Sequence, residues 1–340
     1  MNAEPITPIK KTKCWRKFFK SFYYTIILPV IIAILLRIFF IDIYKIPSSS
    51  MEPTMVPGDL IIVSKIGIGA RLSVNDKNGK ETRMPGFSGI KRNDVVVFNF
   101  PEGDTIYRER PDLNFHDYAG WRSHAKAVRD TMEHGRLIYL PVNYRQPFVK
   151  RCLGLPGDTV RFYKSAVIMN SQCVKDPAGT WWHLSDSLKA YPLSYIKNLK
   201  NPRTKDYRVY HWFFPHQIVE WWDNDYYGPL YIPKKGGTVT LKPTNLSYYW
   251  RIITAYEHNT LDTIAGEIRI NGKPTQTYTF KQNYYFMIGD NHWDSVDSRF
   301  WGFVPENHII GKASLVLLSW GATENGENEF RWKRMFKRVK

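Results

Sequence analysis

Ile46-Pro-Ser-Ser-Ser-Met-Glu-Pro-Thr54, with three serines in a row, is the most informative segment of this 340-residue chain. Pro47 and Pro53 bracket the serines. Because proline restricts both itself and the residue before it, the hydroxyl groups are expected on a stiff, extended piece of backbone. Segments rich in serine and proline are usually turns. The meaning of this one therefore depends on what precedes and follows it.

A hydrophobic run from Phe22 to Ile41 precedes the serines and is interrupted only by Arg37. A helix of this length spans about 30 Å, the thickness of a bilayer core, and a spanning helix tolerates Pro29. A cleavable signal peptide would show a small-x-small site after the run, and a soluble helix would show a polar face. The run has neither. We therefore predict a membrane anchor at residues 22–41.

The net charge of the chain is +17, from 48 Lys and Arg against 31 Asp and Glu. Such a charge, taken alone, indicates nucleic acid or an anionic membrane as partner. However, the first twenty and the last ten residues together carry 11 of these charges, so the long middle is only mildly basic. By the positive-inside rule, the basic residues 1–21 form a cytoplasmic tail. We therefore predict contact with the lipid bilayer and no nucleic-acid binding.

The composition excludes several classes of protein. A chain that is 43% hydrophobic and 15% aromatic is not disordered. Three cysteines are too few for a disulfide scaffold or a four-thiolate zinc site, and the nine histidines have no metal-ligand spacing with them. Neither a metal nor a cofactor is predicted. Cys152 and Cys173 either pair or stay free, with buried free thiols as the default expectation.

Beyond the anchor, the pattern predicts a mainly β protein. Residues 94–100 and 284–288 are candidates for short buried strands. Residues 165–280 are dense in aromatic side chains and are predicted to be an inserted β subdomain, with its aromatics either in a core or at the membrane interface. Residues 321–340 form a basic tail that either rests on anionic lipid or is solvated.

Two further segments carry polar groups with catalytic potential. Val149-Lys-Arg-Cys-Leu-Gly-Leu-Pro-Gly-Asp158 places a lysine in an apolar strand, and Gly289-Asp-Asn-His-Trp-Asp-Ser-Val-Asp-Ser-Arg299 is a polar cluster between apolar runs. Alone, such a lysine is usually solvated and such a cluster usually makes loop hydrogen bonds. Ser194-Tyr-Ile-Lys197 matches the Ser-x-x-Lys of penicillin-binding enzymes but lacks their companion motifs, so we treat it as chance.

In combination and in this order, the segments resemble the type I signal peptidases, membrane-anchored serine proteases that remove signal peptides from exported proteins. The Ser-Met-x-Pro-Thr element of that family matches Ser50 to Thr54. Its Lys-Arg-x-x-Gly-x-Pro-Gly-Asp element matches Lys150 to Asp158, and its Gly-Asp-Asn element, which runs on to Trp-Gly-x-Val-Pro, matches residues 289–305. Its Arg-x-Asp-Val-Val-x-Phe strand is similar to residues 92–98.

The resemblance implies catalysis by a Ser-Lys dyad. Ser50 would be the nucleophile and Lys150 the general base, oriented by the hydroxyl of Ser295. A lysine accepts a proton only when neutral, so its usual pKa of about 10.4 must fall, and burial among the apolar neighbours of this strand would lower it. Arg151, next in the strand, is expected to point to the opposite face.

Other roles follow from the same resemblance. The backbone N–H of Ser50 and the hydroxyl of Ser48 would stabilise the oxyanion, and Asp297 would pair with Arg299 to brace the Ser295 loop. Small substrate residues at −1 and −3 would enter two shallow pockets lined by Tyr44, Ile46 and Val149.

The implied fold is a signal-peptidase and LexA-like β catalytic core at residues 42–164 and 281–320, with the insert at 165–280 and one N-terminal transmembrane helix. The implied partners are signal peptides of exported preproteins, the lipid bilayer and the secretion translocon. A signal peptide would bind as an extended strand beside residues 44–47. The implied location is the inner (cytoplasmic) membrane, single-pass, with a cytoplasmic N-terminus and a periplasmic catalytic domain.

Two rival interpretations make different predictions. A self-cleaving Ser-Lys regulator of the LexA type would carry a DNA-binding domain and an internal scissile bond, against which the anchor and the long insert argue. A membrane-tethered β module without activity would need Ser50 and Lys150 for stability alone. The chain departs from the family pattern at Ser49, usually glycine, and at His292, usually arginine, and neither position belongs to the dyad.

Overall fold

The computed structural model describes most of the chain outside the aromatic insert. The described residues are 11–72, 82–111, 115–116, 134–163, 166–175, 177, 180, 213–215, 222, 224, 226–322 and 327–340. The first ten residues of the basic tail, the Ser194–Lys197 match and much of the predicted insert lie outside these ranges.

A long N-terminal helix begins at Lys11. It consists of α1 (Lys11–Phe22), a π-helical turn (Tyr23–Ile27) and α2 (Leu28–Phe39). Because Pro29 has no N–H to bond the preceding turn, the wide π turn just before it takes up the irregularity without ending the helix. Residues Trp15–Phe39 are long and apolar enough to cross a membrane, and none of the apolar window within them is buried against the described part of the chain.

The helix ends two residues before the predicted anchor does. Ile41 already belongs to the first strand, because hydrogen bonding to a neighbouring strand takes over there from the helical ladder. Asp42 joins the helix to the body of the protein through Lys65 Nζ (3.3 Å) and Arg37 Nε (3.5 Å). Lys65 Nζ also donates to the carbonyl of Arg37 (2.7 Å), so the serine segment begins at a defined distance from the helix end.

The rest of the described chain is mostly β, as predicted. The strands are β1 (Ile41–Lys45), β2 (Asp59–Ser64), β3 (Arg71–Leu72), β4 (Thr82–Arg83), β5 (Val95–Asn99), β6 (Thr105–Tyr107), β7 (Leu137–Tyr139), β8 (Pro147–Gly154), β9 (Thr159–Tyr163), β10 (Ala166–Met169), β11 (Gln172–Cys173), β12 (Tyr226–Tyr231), β13 (Thr238–Thr240), β14 (Leu261–Ile264), β15 (Glu267–Ile270), β16 (Lys273–Pro274), β17 (Thr277–Thr279), β18 (Tyr284–Ile288), β19 (Val304–Pro305), β20 (Ile309–Ala322) and β21 (Asn328–Phe330). Two further α-helices lie wholly within the described ranges, and both are short: α3 (Leu246–Arg251) and α4 (Ser298–Trp301).

One antiparallel sheet organises the molecule. Its strand order is β1-β2-β20-β5-β8-β18-β19, and β21 pairs with β20. The two strands predicted from apolar runs are β5 and β18, and both are buried along their whole length. This sheet brings the serine segment (between β1 and β2), the lysine segment (β8) and the polar cluster (after β18) into one region.

The insert is continuous with this sheet rather than detached from it. A second antiparallel sheet, β11-β10-β9-β12, combines β9 from the predicted catalytic core with strands of the insert. One hydrophobic cluster contains Leu153 and Phe286 of the large sheet together with Phe162, Tyr227 and Ile253. The described aromatic side chains of the insert contribute heavily to this shared core.

The C-terminal segment, residues 328–340, folds back on the sheet. After β21, the Phe336 N–H donates to the carbonyl of Val316 (2.7 Å). Arg334 then reaches Asp59, with Nη2 donating to Oδ2 (2.6 Å) and Nε to Oδ1 (3.1 Å). The segment that the sequence predicts as a basic tail thus covers the loop that follows the serines, and it contains a 3-10 turn, Trp332–Arg334.

Replacing Arg334 with alanine should lower the stability of the fold. The change leaves the buried carboxylate of Asp59 without its cation, which we expect to cost about 3 kcal/mol, the lower end for such pairs because Arg334 is partly exposed. Thermal unfolding of the full chain in detergent, followed by tryptophan fluorescence, measures this loss. Lys333→Ala removes a neighbouring exposed cation and should leave the melting temperature unchanged; an equal melting temperature for both variants would contradict the assignment.

Candidate active site

A closed loop between β1 and β2 presents the serines. The Ile46 N–H donates to the carbonyl of Asp59 (2.8 Å), and the Gly58 N–H donates to the carbonyl of Ile46 (2.8 Å), which draws the two ends of the loop together. Met51 and Met55 are fully buried under the loop. Since the neighbouring Met51 is held in the core, Ser50 has little freedom to move.

Lys150 lies on β8 directly beside this loop. Its Nζ donates to Oγ of Ser50 at 2.6 Å, although the two residues are 100 positions apart. The lysine is 4% exposed, because β5 pairs alongside it with Val96 as the opposite residue. Burial disfavours the ammonium and lowers the pKa of Lys150 to about 8, with Asp297 opposing the change and Arg299 assisting it.

The loop after β18 surrounds a fully buried carboxylate, Asp297. The hydroxyl of Ser295 donates to Oδ2 of Asp297 (2.9 Å), and so does the Gly289 N–H (3.0 Å). Arg299 donates to both carboxylate oxygens, from Nε to Oδ1 and from Nη2 to Oδ2, each at 2.8 Å. Burial opposes ionisation of Asp297, but the guanidinium of Arg299 outweighs it and holds the pKa below its usual range. The predicted pair is therefore present, and it braces Ser295.

Gly289 allows the polar loop and the serine loop to meet. A Cβ atom at this position would lie 2.1 Å from Oγ of Ser295 and 2.6 Å from the carbonyl oxygen of Ser50, far inside van der Waals contact. The Asn291 N–H donates to that same carbonyl (3.2 Å), and the hydroxyl of Ser49 donates to Asp294. Ser295 thus lies next to the backbone of Ser50, while its hydroxyl donates to Asp297.

An ion-pair network that the sequence analysis missed lies behind the lysine. Arg151 is buried, and it donates to Asp290 from Nε to Oδ1 (2.6 Å) and from Nη2 to Oδ2 (2.5 Å). The hydroxyl of Thr54 donates to the same carboxylate (2.5 Å), and Nη1 of Arg151 donates to the main-chain oxygen of Lys340 (3.1 Å). The sequence did show Arg151 as a charged residue in a largely apolar strand. Its partners could not be identified from the sequence, because they lie far from it along the chain.

The remaining predicted residues also lie in this region. Oγ of Ser48 is 3.4 Å from Oγ of Ser50 and is exposed to solvent, so it can approach a bound substrate. Tyr44 and Val149 are partly buried and pack against the hydrophobic cluster that contains Ile46. The three side chains predicted to line the pockets therefore belong to one apolar surface beside the serine loop.

The two cysteines beyond the anchor form no disulfide. Cys152 and Cys173 are both free; the prediction of a buried thiol is right for Cys152 and wrong for Cys173, which is exposed because it lies on the edge strand β11. Within the described ranges, no group of three or more His, Cys, Asp or Glu side chains is arranged to hold a metal ion.

The geometry of Ser50, Lys150 and Ser295 agrees with a sequence comparison, in which one protein family matches most of the chain. The family described as "Signal peptidase, peptidase S26" matches residues 19–320. The chain belongs to the signal peptidase family. The expectation from the sequence segments is thereby confirmed, and so are the mainly β fold and the serine endopeptidase activity. The rival interpretations, a LexA-type regulator and an inactive β module, are not favoured.

Individual signal peptidases are similar to this chain over most of their length. Signal peptidase I of Buchnera aphidicola subsp. Schizaphis graminum is 23% identical over 340 residues, which cover 97% of this chain and 83% of the relative. Signal peptidase I of Haemophilus influenzae is 28% identical over 317 residues, covering 92% and 74%. A crystal structure of a signal peptidase I from Enterococcus faecalis aligns at 15% identity with a TM-score of 0.24, covering 67% of this chain and 98% of that one.

Membership of the signal peptidase family sets the general activity. The protein is a serine endopeptidase that removes signal peptides from preproteins. The apolar N-terminal helix, together with this membership, makes it a membrane-anchored protein.

A methyl group at position 289 should reduce signal-peptide cleavage by about tenfold or more, because it forces apart Ser295 and the backbone of Ser50. Gly289→Ala is compared with Gly236→Ala, whose added methyl meets no atom within 4 Å and whose positive φ makes it a control for backbone strain. Cleavage of a preprotein in detergent, normalised to folded protein, measures both variants. Equal activity of the two variants would show that the close approach at Gly289 is unimportant.

Proposed function

We propose that this peptidase hydrolyses the signal-peptide bond with a Ser50–Lys150 dyad. The carrying observation is the 2.6 Å contact between Oγ of Ser50 and Nζ of Lys150, with the lysine buried and its pKa lowered to about 8. A serine hydroxyl is a weak nucleophile until an adjacent base removes its proton. A lysine with this pKa is neutral often enough near neutral pH to be that base.

In the acylation step, neutral Lys150 accepts the hydroxyl proton of Ser50 while Oγ attacks the carbonyl carbon of the scissile bond. The carbonyl oxygen becomes an oxyanion, to which the Ser50 N–H and the hydroxyl of Ser48 donate. The Lys150 ammonium then gives its proton to the leaving nitrogen as the C–N bond breaks. The mature protein departs with a free amine, and the signal peptide remains as an ester on Ser50.

In the deacylation step, Lys150 is neutral again and removes a proton from a water molecule. The resulting hydroxide attacks the ester carbonyl, and the same two donors stabilise the oxyanion. Lys150 returns the proton to Oγ of Ser50 as the ester bond breaks. The signal peptide leaves with a new carboxyl group, which gives its remaining proton to solvent, and the dyad is restored.

Three residues support the dyad without taking part in bond making. Ser295 lies beside the backbone of Ser50, and its hydroxyl is proposed to orient the amine of Lys150. Asp297 holds the hydroxyl of Ser295, and Arg299 neutralises Asp297. This neutralisation matters because an unpaired carboxylate near Lys150 would favour its ammonium form.

Recognition of the substrate is proposed to use the free edge of β1. β1 is the terminal strand of its sheet, and an extended peptide can add main-chain hydrogen bonds to such an edge. The side chains of Tyr44, Ile46 and Val149 lie beside the edge in one apolar cluster, which is proposed to accept small residues at −1 and −3. This arrangement supports cleavage after a small-x-small site.

The orientation in the membrane is also a proposal. The basic residues at the N-terminal end of the helix favour the cytoplasmic side for residues 1–21, with a single span and the catalytic domain beyond the inner (cytoplasmic) membrane, on the periplasmic side. A peptidase placed there meets signal peptides as they emerge, which supports the secretion translocon as a partner and lipid as its surroundings.

Removing either member of the dyad should reduce cleavage about a thousandfold or more, because both act on the same proton. Ser50→Ala and Lys150→Ala are assayed with a preprotein in detergent, alongside Ser49→Ala and Lys242→Ala as matched controls outside the dyad. The controls should keep activity within severalfold of the unchanged protein. Undiminished cleavage by either dyad variant would refute the assignment.

The pH dependence of cleavage should report the neutral lysine. Because burial lowers the pKa of Lys150 to about 8, kcat/KM should rise as the pH increases through this value and level off above it. The rate is measured from pH 6 to 10 on a substrate without titratable groups near the cleavage site. A flat profile across that range would exclude a lysine base.

A further inference from the structure

The described parts of the aromatic insert pack against the segment that follows Asp297. The Phe214 N–H donates to the carbonyl of Arg299 (2.8 Å), and the ring of Phe213 stacks on that of Phe300 at 4.7 Å. A Cβ atom at Gly302 would lie 2.6 Å from the Phe214 ring. The insert therefore packs directly against α4, next to the loop that carries Asp297.

Asn224 of the insert makes the most specific of these contacts. Its Oδ1 accepts a hydrogen bond from Nη1 of Arg299 (2.7 Å). Its main-chain oxygen lies 3.3 Å from Nε2 of His292, and the same Nε2 lies 2.9 Å from Nη1 of Arg299. Arg299 is fully buried, so these acceptors replace the water that a guanidinium would otherwise bind.

The guanidinium of Arg299 makes two sets of hydrogen bonds, one to the catalytic loop and one towards Asn224. Nε and Nη2 face Asp297, and Nη2 also donates to the carbonyls of His292 (2.8 Å) and Ser295 (3.3 Å). Nη1 is turned away from Asp297 and depends on Asn224 and His292 for acceptors. All five N–H groups of the guanidinium are thereby occupied, and one acceptor comes from outside the catalytic loop.

We propose that Asn224 is a positioning residue for the peptidase reaction: the insert supplies its amide to orient Arg299, and Arg299 in turn holds Asp297 and Ser295 beside the dyad. The proposal rests on the dyad proposed above. It gives the insert a function in catalysis beyond its own core.

A neutral acceptor is required at position 224. A carboxylate there would compete with Asp297 for the charge of Arg299, and Arg299 would then neutralise Asp297 less completely beside Lys150. Arg299 lowers the pKa of Lys150 and nearby carboxylates raise it, so the base would be protonated over more of the pH range. An amide completes the hydrogen bonds of the guanidinium without this effect.

The test compares Asn224→Ala and Asn224→Asp with the same two changes at Asn245. Asn245 is a half-buried residue of the insert whose side-chain amide bonds the main chain at Lys242 and Thr240, so its substitution controls for general effects on the insert. Cleavage of a preprotein by the full chain in detergent is measured from pH 6 to 10, with the melting temperature of each variant.

We expect Asn224→Ala to lower kcat about tenfold with KM within about twofold, because positioning and not substrate contact is lost. We expect Asn224→Asp, which keeps an oxygen at the same place and should fold, to move the rising limb of kcat/KM upward by about half a pH unit or more. The Asn245 variants should match the unchanged protein in both measurements.

The proposal is overturned if kcat/KM of Asn224→Asp rises over the same pH range as that of the unchanged protein. It is also overturned if the decrease in kcat of Asn224→Ala disappears when the rate is corrected for the amount of folded protein. It is also overturned if the Asn245 variants show the same changes. An error in the dyad assignment would give different results: Ser50→Ala would cleave the preprotein, or kcat/KM of the unchanged protein would not rise near pH 8. In that case equal kcat values for Asn224→Ala and Asn245→Ala would still reject the positioning role.

Discussion

The burial of Lys150 away from water is the constraint on which the rest of this structure depends. Lys150 must be buried to lose its proton, yet three carboxylates, those of Asp297, Asp290 and Asp294, favour its ammonium form. The first is paired with Arg299 and the second with Arg151, so burial remains the largest effect. An apolar pocket alone would not suffice, because the serine loop needs polar groups to hold it.

The two buried ion pairs also explain how distant segments share one site. Arg151 follows Lys150 in β8, and through Asp290 it connects the polar loop with Thr54 and the C-terminal segment. Arg299 connects the same loop with the insert. Because buried ion pairs contribute little net stability, their value here lies in fixing where the chain segments meet. Both the insert and the C-terminal segment therefore belong to the environment of the dyad.

Local pattern predicted much of this arrangement. The apolar helix, the buried strands β5 and β18, and the lysine in an apolar strand are visible because periodicity and residue type report burial directly. The pairing of Asp297 with Arg299 was predicted from the family resemblance of residues 289–305, and the structure contains it. The acceptor from Asn224 and the partner of Arg151 were not, because strand pairing and loop packing bring them together from far along the chain.

The sequence alone determined the family, the anchor before the serine segment and the residue types able to perform peptide hydrolysis. It could do so because motifs and hydropathy depend on residues that are neighbours along the chain. Only the folded chain decides that Lys150 is buried with a lowered pKa, that Cys173 is exposed, and that the basic C-terminal segment packs against the sheet. The physical reason is that a pKa depends on the dielectric and charges around a group, and a hydrogen bond depends on an acceptor in reach. Both are set by residues that meet only through tertiary structure.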